Sequence, residues 1–151
     1  MFISRLNLGR ITNSNQIKTS LRHNPYRHIQ MGRENIRIKK GSLKNESGPK
    51  DFYVMVEIEY KAGHVMSFER VTIEKGICTI RHLAVHNGFR GHGLGEPCTM
   101  ALIKLLKNEQ PINKVIFLES EGQNPLYQEF FNNNLKATLR PGKLDEWELN
   151  V

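Results

Sequence analysis

Apolar and polar side chains alternate with a period of two along three consecutive segments in the middle of the chain. These segments cover residues 52–60, 65–73 and 77–85, and short Gly-containing sequences separate them at residues 61–63 and 74–76. A period of two places successive side chains on opposite faces of a sheet, and short turns join antiparallel neighbours. The pattern therefore predicts a meander of three antiparallel strands.

After the meander, the pattern changes to helical spacing and then alternates between strand and helix. The predicted elements are a helix over residues 95–107, a strand over 114–119, a helix from Asn124 and Pro125 to residue 131, and short strands over 137–139 and 147–151. Asn suits a helix cap and Pro suits the first helical position, which is why the second helix is expected to begin there.

The first 50 residues carry a weaker pattern. The predicted elements are a strand near residues 2–8, one or two short helices over 15–30 broken at Pro25, an extended piece over 35–39 and a turn-rich connection over 41–50. The length of 151 residues predicts one domain over residues 1–151, large enough to bury a core without disulfide bonds. Two cysteines, Cys78 and Cys98, are expected to be reduced thiols in a cytoplasmic protein.

A glycine-rich sequence, Arg-Gly-His-Gly-Leu-Gly at residues 90–95, lies between the last strand of the meander and the first helix. A strand, a glycine-rich turn and a helix N-terminus together direct backbone N–H groups toward an anion. Glycine is suited to such a turn because it adopts positive φ and has no Cβ to block a phosphate. Arg90 adds a positive charge, so the loop is predicted to bind phosphate.

Two common phosphate-binding motifs do not fit this loop. A nucleotide-triphosphate loop ends in Lys followed by Ser or Thr, and no such pair follows residue 95. A dinucleotide-binding motif has the spacing Gly-x-Gly-x-x-Gly within a parallel βαβ unit. Here Gly91, Gly93 and Gly95 are spaced by two and follow a meander, which excludes that motif as well.

The sequence of residues 83–95, Leu-Ala-Val-His-Asn-Gly-Phe-Arg-Gly-His-Gly-Leu-Gly, resembles the Arg/Gln-x-x-Gly-x-Gly/Ala signature of the GNAT superfamily of acyl-CoA-dependent N-acyltransferases. The resemblance covers roughly residues 52–151. It implies an α+β fold, with a mixed, mostly antiparallel central sheet of about six to seven strands flanked by helices. It also implies acetyl-CoA as cosubstrate, with its pyrophosphate on the loop and its pantetheine arm along the preceding strand. The implied cofactor-binding residues are Leu83, Ala84, Val85, Arg90, Gly91, His92, Gly93, Leu94, Gly95 and Asn124; no metal site is expected.

Acyl transfer from a thioester requires an acid for the leaving thiolate. The family usually places a Tyr on the helix after the fifth strand, and this implies Tyr127 as the catalytic acid. Counting back from Leu135 instead places Phe130 at that position, and Tyr127 would then be a half-buried core residue. Asn124 has two interpretations, a contact to the pantetheine arm and a helix cap.

No residue is assigned as the base that takes a proton from the amine. The family often uses a Glu on the strand before the loop, and that position falls at Thr79, whose hydroxyl cannot serve. The other candidates are Glu69, Glu74, His82 and His86, with water as an alternative. For either histidine, a packed or solvent-facing ring without a catalytic role is the competing interpretation.

Charge is unevenly distributed along the chain, whose formal net charge is +7. Residues 1–50 contain 11 Lys and Arg against two acidic residues, a charge of +9, whereas residues 51–151 carry −2. A basic surface attracts polyanions, so residues 1–50 are predicted to form a basic acceptor-side half beside an acetyl-CoA-binding core at residues 52–151.

The expected activity is N-acetyl transfer to an acidic macromolecule, either a protein amine or aminoacyl-tRNA. Two alternatives remain: a non-catalytic module with the same fold that binds nucleic acid, and an acetyltransferase for a small amine. No membrane partner is expected because no apolar run approaches about 18 residues. A homodimer is left open.

Overall fold

The computed structural model describes residues 26–42, 51–59, 61–122, 124–143 and 145–151. Its strands are β1 (Tyr26–Met31), β2 (Glu34–Ser42), β3 (Phe52–Ile58), β4 (Met66–Glu74), β5 (Ile77–Val85), β6 (Lys114–Phe117), β7 (Thr138–Leu139) and β8 (Trp147–Asn150). Its α-helices are α1 (Gly95–Glu109) and α2 (Pro125–Glu129), and α2 continues as a π-helical turn over Phe130–Asn134. The strand predicted near residues 2–8, the helix over 15–25 and the connection over 43–50 lie outside the described residues.

The described strands form a single sheet in the order β1-β2-β3-β4-β5-β6-β8-β7. All neighbours are antiparallel except β5 and β6, which are parallel and are connected through α1. This confirms the expected α+β architecture with a mixed, mostly antiparallel sheet. The sheet has eight strands among the described residues, rather than six or seven, because β1 and β2 form an additional hairpin at one edge.

The helix predicted over residues 15–30 is wrong for residues 26–30, which belong to β1. Ile29 pairs with Ile36 of β2, and both side chains are buried. Gly32, at φ 61°, begins the two-residue turn between the strands, a position that favours glycine in tight hairpins. Pairing with β2 therefore determines the conformation of this segment.

Helix α1 packs its apolar side against β1 and β2. Its buried residues are Cys98, Thr99, Ala101, Leu102, Ile103, Leu105 and Leu106, and the sheet contributes Ile36 and Ile38, both fully buried. Both cysteines are free and buried. Burial raises the pKa of the Cys78 and Cys98 thiols to about 12, and Glu34 adds to the shift at Cys98.

The parallel pairing of β5 with β6 ends part-way along β5. The paired residues run from Ile77 with Lys114 to Ile80 with Phe117, and the Leu118 N–H donates to the Ile80 carbonyl at 2.8 Å. Beyond this point β5 continues to Val85 beside β4, while the chain after β6 turns away. A cleft opens where the two strands separate. Among the described residues, no helix combines the length and apolar character needed to cross a bilayer.

Candidate active site

The cleft has a volume of about 520 Å³ and is bounded by the end of β5, the glycine-rich loop, the start of α1 and helix α2. This size lies within the usual range of small-molecule and cofactor sites. The predicted site residues that line it are Leu83, Ala84, Val85, Arg90, Gly91, Gly93, Leu94, Gly95, Asn124 and Tyr127. The exposed side chain of His92 lies outside the described lining. The remaining lining residues are His82, Phe89, Glu96, Glu121, Leu126, Phe130 and Asn134.

The loop has the backbone conformation that its glycines predict. Gly91 and Gly93 have φ of 81° and 69°, and no described atom lies within 4 Å of a Cβ built at either position. Arg90 donates from Nε to the Val85 carbonyl at 2.8 Å, which holds its guanidinium at the rim. Since Leu94 has no polar side-chain atom with which to cap α1, the first N–H groups of the helix stay available to an anion.

Close packing at the start of α1 favours glycine at residue 95. A Cβ built on it lies 3.0 Å from the ring of Phe130 and 3.5 Å from the side chain of Val85. Phe130 therefore packs against the helix start while also lining the cleft. Its ring has no proton to transfer, so this position contributes shape rather than acid–base chemistry.

Tyr127 is half-buried and also lines the cleft. Its hydroxyl donates to the Leu83 carbonyl at 2.7 Å, and its ring stacks on Phe131 with centroids 6.0 Å apart. Burial, followed by the carboxylates of Glu119 and Glu121, raises the pKa of Tyr127 to about 12, while Arg90 lowers it. The phenol therefore retains its proton at neutral pH.

Asn124 has the role of helix cap that its sequence position predicts. Its Oδ1 accepts a hydrogen bond from the Leu126 N–H at 2.9 Å, and Pro125 occupies the first helical position. Asn124 also lines the cleft. The cap and the proposed contact to a bound ligand are therefore compatible in one residue.

Among the base candidates considered from sequence, His82 is the one that lines the cleft. Its Nδ1 lies 2.9 Å from Oε1 and 3.0 Å from Oε2 of Glu119. Glu69 of β4 is paired with His82 of β5, but its side chain is exposed. Glu74 lies at the far end of β4 from this pair, and His86 is exposed. Thr79 pairs with β4 and β6 inside the sheet.

Glu119 is a site residue that the sequence pattern did not identify. It was taken as the end of a buried strand, although β6 ends at Phe117. Its side chain is only 1% exposed. The sequence signal that could have identified Glu119 is its position at the end of an apolar run. A carboxylate buried there requires hydrogen-bond partners, which indicates a polar site nearby.

The orientation of His82 comes from an irregularity in β4 and β5. Buried residues in β5 fall at Cys78, Ile80 and Leu83, so the alternation shifts by one residue between the last two. Across the pair, Arg70 of β4 adopts a φ of 51°, and the pairing of β3 with β4 shifts register nearby. Such irregularities redirect side chains, and they occur frequently beside active sites.

Comparisons with known proteins bear on the family and the fold. The family model for the acetyltransferase (GNAT) family matches residues 17–133, well over half of the chain. The fold is similar to the crystal structure of a proposed acetyltransferase from Sphaerobacter thermophilus DSM 20745. That similarity has a TM-score of 0.51 at 10% sequence identity, and it covers 85% of this chain and 100% of the other. Comparison with curated protein sequences found no match.

Proposed function

The chain belongs to the GNAT acetyltransferase family, and from that premise we propose that it transfers the acetyl group of acetyl-CoA to an amine on an acidic macromolecule. Acetyl transfer as a class of reaction follows from family membership. The residues that bind acetyl-CoA, the residues that move protons and the nature of the acceptor are the further content of the proposal.

The cleft at the separated end of β5 is the observation that carries the proposal. Backbone N–H groups at the start of α1, two glycines with open space before them and the Arg90 guanidinium converge at one end of it. These groups suit a pyrophosphate. The stretch of β5 from Leu83 to Val85 lies beyond the β6 pairing, where the family places the pantetheine arm.

The position of Tyr127 supports its role as the proton donor. Its hydroxyl reaches Leu83, so it is held against the strand along which the pantetheine arm is expected to lie. A tyrosine with a pKa of about 12 keeps its proton at neutral pH and can give it to a thiolate as the carbon–sulfur bond breaks. Tyr127 is therefore proposed as the acid.

Charge on the β1–β2 hairpin supports a large acceptor. Its cations are Arg27, Arg33, Arg37, Lys39 and Lys40. Within the described part of the chain, Arg37 pairs with Glu57 at 2.8 Å and Lys40 pairs with Glu109 at 3.0 Å. Since β1 is four strands from β5, the hairpin edge is about 19 Å from the cleft strand. A macromolecule can contact both places at once, whereas a small amine in the cleft cannot.

A small cationic amine is the second candidate acceptor. Glu121 lies on the cleft beside Tyr127, and its carboxylate favours a positively charged substrate at short range. The two candidates differ in their dependence on the charges of the hairpin, since only the large acceptor needs them.

Substitution of Gly93 by Asp tests whether the loop binds acetyl-CoA. The new carboxylate points into the space proposed for the pyrophosphate, so calorimetry should show loss of acetyl-CoA binding in a protein that remains folded. Gly142→Asp is the matched control, because Gly142 has a φ of 77° and open space like Gly93, at 69°. Both variants carry the same backbone strain, but Gly142 is not among the residues of the cleft. Unchanged acetyl-CoA affinity in folded Gly93→Asp protein would refute this site.

A further inference from the structure

Glu119 is a buried carboxylate whose hydrogen-bond partners among the described residues, His82, Leu83 and Glu121, all line the cleft. Its Oε1 accepts from the Leu83 N–H at 3.0 Å, and its Oε2 accepts from the Glu121 N–H at 3.2 Å. The third partner is Nδ1 of His82. A buried carboxylate is tolerated when it is well supplied with donors. These three contacts anchor its two oxygens at the point where β5 and β6 separate.

The contact with Glu119 favours one tautomer of His82. Both carboxylate oxygens of Glu119 already accept hydrogen bonds from backbone N–H groups, so Nδ1 of His82 is assigned as a further donor. In the neutral ring, Nε2 is then left with a free lone pair. The His82 side chain is 35% exposed and lines the cleft, whereas that of Glu119 is 1% exposed. The ring edge opposite Nδ1 is therefore the part of His82 that is not held by Glu119.

His82 and the proposed acid Tyr127 line the same cleft. His82 directly precedes Leu83, whose carbonyl accepts the Tyr127 hydroxyl at 2.7 Å. An accepting nitrogen and a donating hydroxyl are therefore held at neighbouring residues of β5. Of the base candidates found in the sequence, all of which the structure describes, His82 is the one that combines contact with the cleft and an orienting partner.

We propose that His82 is the general base of the acetyl transfer and that Glu119 is the positioning residue that holds its tautomer. This inference rests on the proposed function. An ammonium acceptor must lose two protons in forming an amide: Nε2 of His82 takes one and passes it to solvent. The neutral amine attacks the thioester carbon, a carbon–nitrogen bond forms and the carbon–sulfur bond breaks. Tyr127 protonates the thiolate, and the second proton lost by nitrogen restores the phenol through solvent.

Two small nucleophiles test the role of the base without knowledge of the natural acceptor. Methylamine is an ammonium ion at neutral pH and needs a base, whereas hydroxylamine is mostly uncharged and does not. His82→Asn retains an N–H donor for Glu119 but has no basic nitrogen. CoA release with methylamine should fall by about 10²-fold in this variant. The rate with hydroxylamine should stay within about twofold of wild type, since that reaction does not use the base.

His86→Asn is the matched control, because His86 is an exposed histidine four residues further along the chain. Its rates with both nucleophiles should equal those of wild type. Equal methylamine rates in wild type and folded His82→Asn protein would overturn the proposal, as would an equal loss with both nucleophiles. If wild-type protein releases CoA with neither nucleophile, the tautomer of the His82 ring decides the proposal, while the proposed acetyl transfer is tested separately with macromolecular acceptors.

Nitrogen NMR of the His82 ring tests the role of Glu119 independently of activity. Wild-type protein should show the Nδ1–H tautomer at neutral pH, and a hydrogen on Nε2 would overturn the proposal. Glu119→Gln presents an amide to the ring and should increase the Nε2–H form, with a loss of methylamine turnover that hydroxylamine does not share. A Glu119→Gln protein with the wild-type tautomer and wild-type rates would contradict the positioning role. If this variant does not fold, His82→Asn and the wild-type spectrum still decide the proposal.

Discussion

The Tyr127 hydroxyl illustrates how one side chain satisfies two demands. Its ring packs on Phe131 within a cluster that includes Phe117 and Trp147, as expected of a core residue. Its hydroxyl nevertheless lies on the cleft and donates to Leu83. The two sequence-based interpretations of Tyr127, acid and half-buried core residue, are therefore compatible in geometry, and they differ in what its removal should change.

Tyr127→Phe should lower turnover by about 10²-fold or more, with little change in acetyl-CoA affinity, because the ring packing remains while the acid is lost. Loss of the hydrogen bond to Leu83 should lower the free energy of unfolding by about 0.5–1.5 kcal/mol. Steady-state kinetics, calorimetry and denaturant unfolding measure the three quantities. Near-normal turnover would assign Tyr127 to the core. The double variant Tyr127→Phe, Phe130→Tyr tests the alternative interpretation that places the acid position at residue 130. A hydroxyl at residue 130 should restore turnover only if that interpretation is correct.

The raised pKa of Tyr127 also has a consequence for stability at alkaline pH. The folded-state pKa is about 12 and the ordinary value is 10.0, so the fold favours the protonated phenol. The corresponding stability is present below pH 10.0 and is lost as the pH rises toward 12. Burial of the Cys78 and Cys98 thiols contributes a loss of the same sign, so the Tyr127→Phe variant should show a smaller alkaline loss than wild type in unfolding measurements across that range.

At the scale of elements, the start of α1 combines a favourable and an unfavourable charge effect in Glu96. A carboxylate in the first turn stabilises a helix through its dipole. Glu96 also lines the cleft, close to where the negatively charged pyrophosphate is proposed to bind. The residue is exposed, so solvent screens both effects.

Glu96→Gln should therefore tighten acetyl-CoA binding by about two- to fivefold at low salt. It removes a repulsion between the carboxylate and the pyrophosphate, and interactions between exposed charges are typically of this size. It should also lower stability by about 0.3–1 kcal/mol through loss of the dipole interaction. Calorimetry at two salt concentrations and thermal unfolding measure these effects. Glu129→Gln removes an exposed carboxylate that is not among the cleft residues, and it should leave affinity unchanged. Unchanged or weaker binding in Glu96→Gln protein would contradict the location of the pyrophosphate.

Elements with strong local patterns were predicted well from sequence. Strand β5 has the predicted bounds, and β3, β4, β6 and α1 differ from theirs by a few residues at most. The cap at Asn124 was also correct, since a cap depends on residues two positions away. Residues 26–30 were assigned wrongly because their conformation depends on pairing with β2 rather than on local spacing.

In the candidate site, too, local features were predicted from sequence and contacts between distant residues were not. The residues of the glycine-rich loop are contiguous, so their spacing alone was enough to predict a turn with positive φ, which Gly91 and Gly93 adopt. Phosphate binding by this turn stays a prediction. The pair formed by His82 and Glu119 joins residues 37 positions apart in the chain. It also depends on the shift in alternation within β5, which a period-two pattern does not encode. Contacts of this kind arise only when the sheet is assembled.

For the whole molecule, the uneven distribution of charge bears on the acceptor. The cations on the β1–β2 hairpin are distant from the cleft strand, and the proposal of an acidic macromolecule rests on their long-range attraction. Attraction of a polyanion by several cations weakens steeply with salt, because each neutralised phosphate releases counterions.

Charge reversal at Arg22, Arg27 and Arg33 should raise the apparent Michaelis constant for the acceptor and leave acetyl-CoA affinity unchanged; Arg22 lies outside the described residues. Transfer of label from acetyl-CoA to macromolecules of a cell lysate, with and without RNase, provides the assay. Reversal at the exposed Lys104, Lys107 and Lys136 makes the same change in net charge elsewhere. Activity that is insensitive to ionic strength between about 50 and 200 mM, or a free polyamine that outcompetes macromolecular acceptors, would favour the small-amine alternative.

The short pairing of β5 with β6 also affects how stability is shared across the molecule. Strands β1–β5 and strands β6–β8 are joined within the sheet by four residue pairs, from Ile77 with Lys114 to Ile80 with Phe117. The cleft draws residues from both sides of this seam, Val85 and Arg90 from one and Glu121 and Tyr127 from the other. A molecule bound there therefore acts as a noncovalent crosslink between two groups of strands. Its binding energy adds to the free energy needed to separate β5 from β6. Occupancy of the cleft should therefore make the two groups of strands unfold more cooperatively.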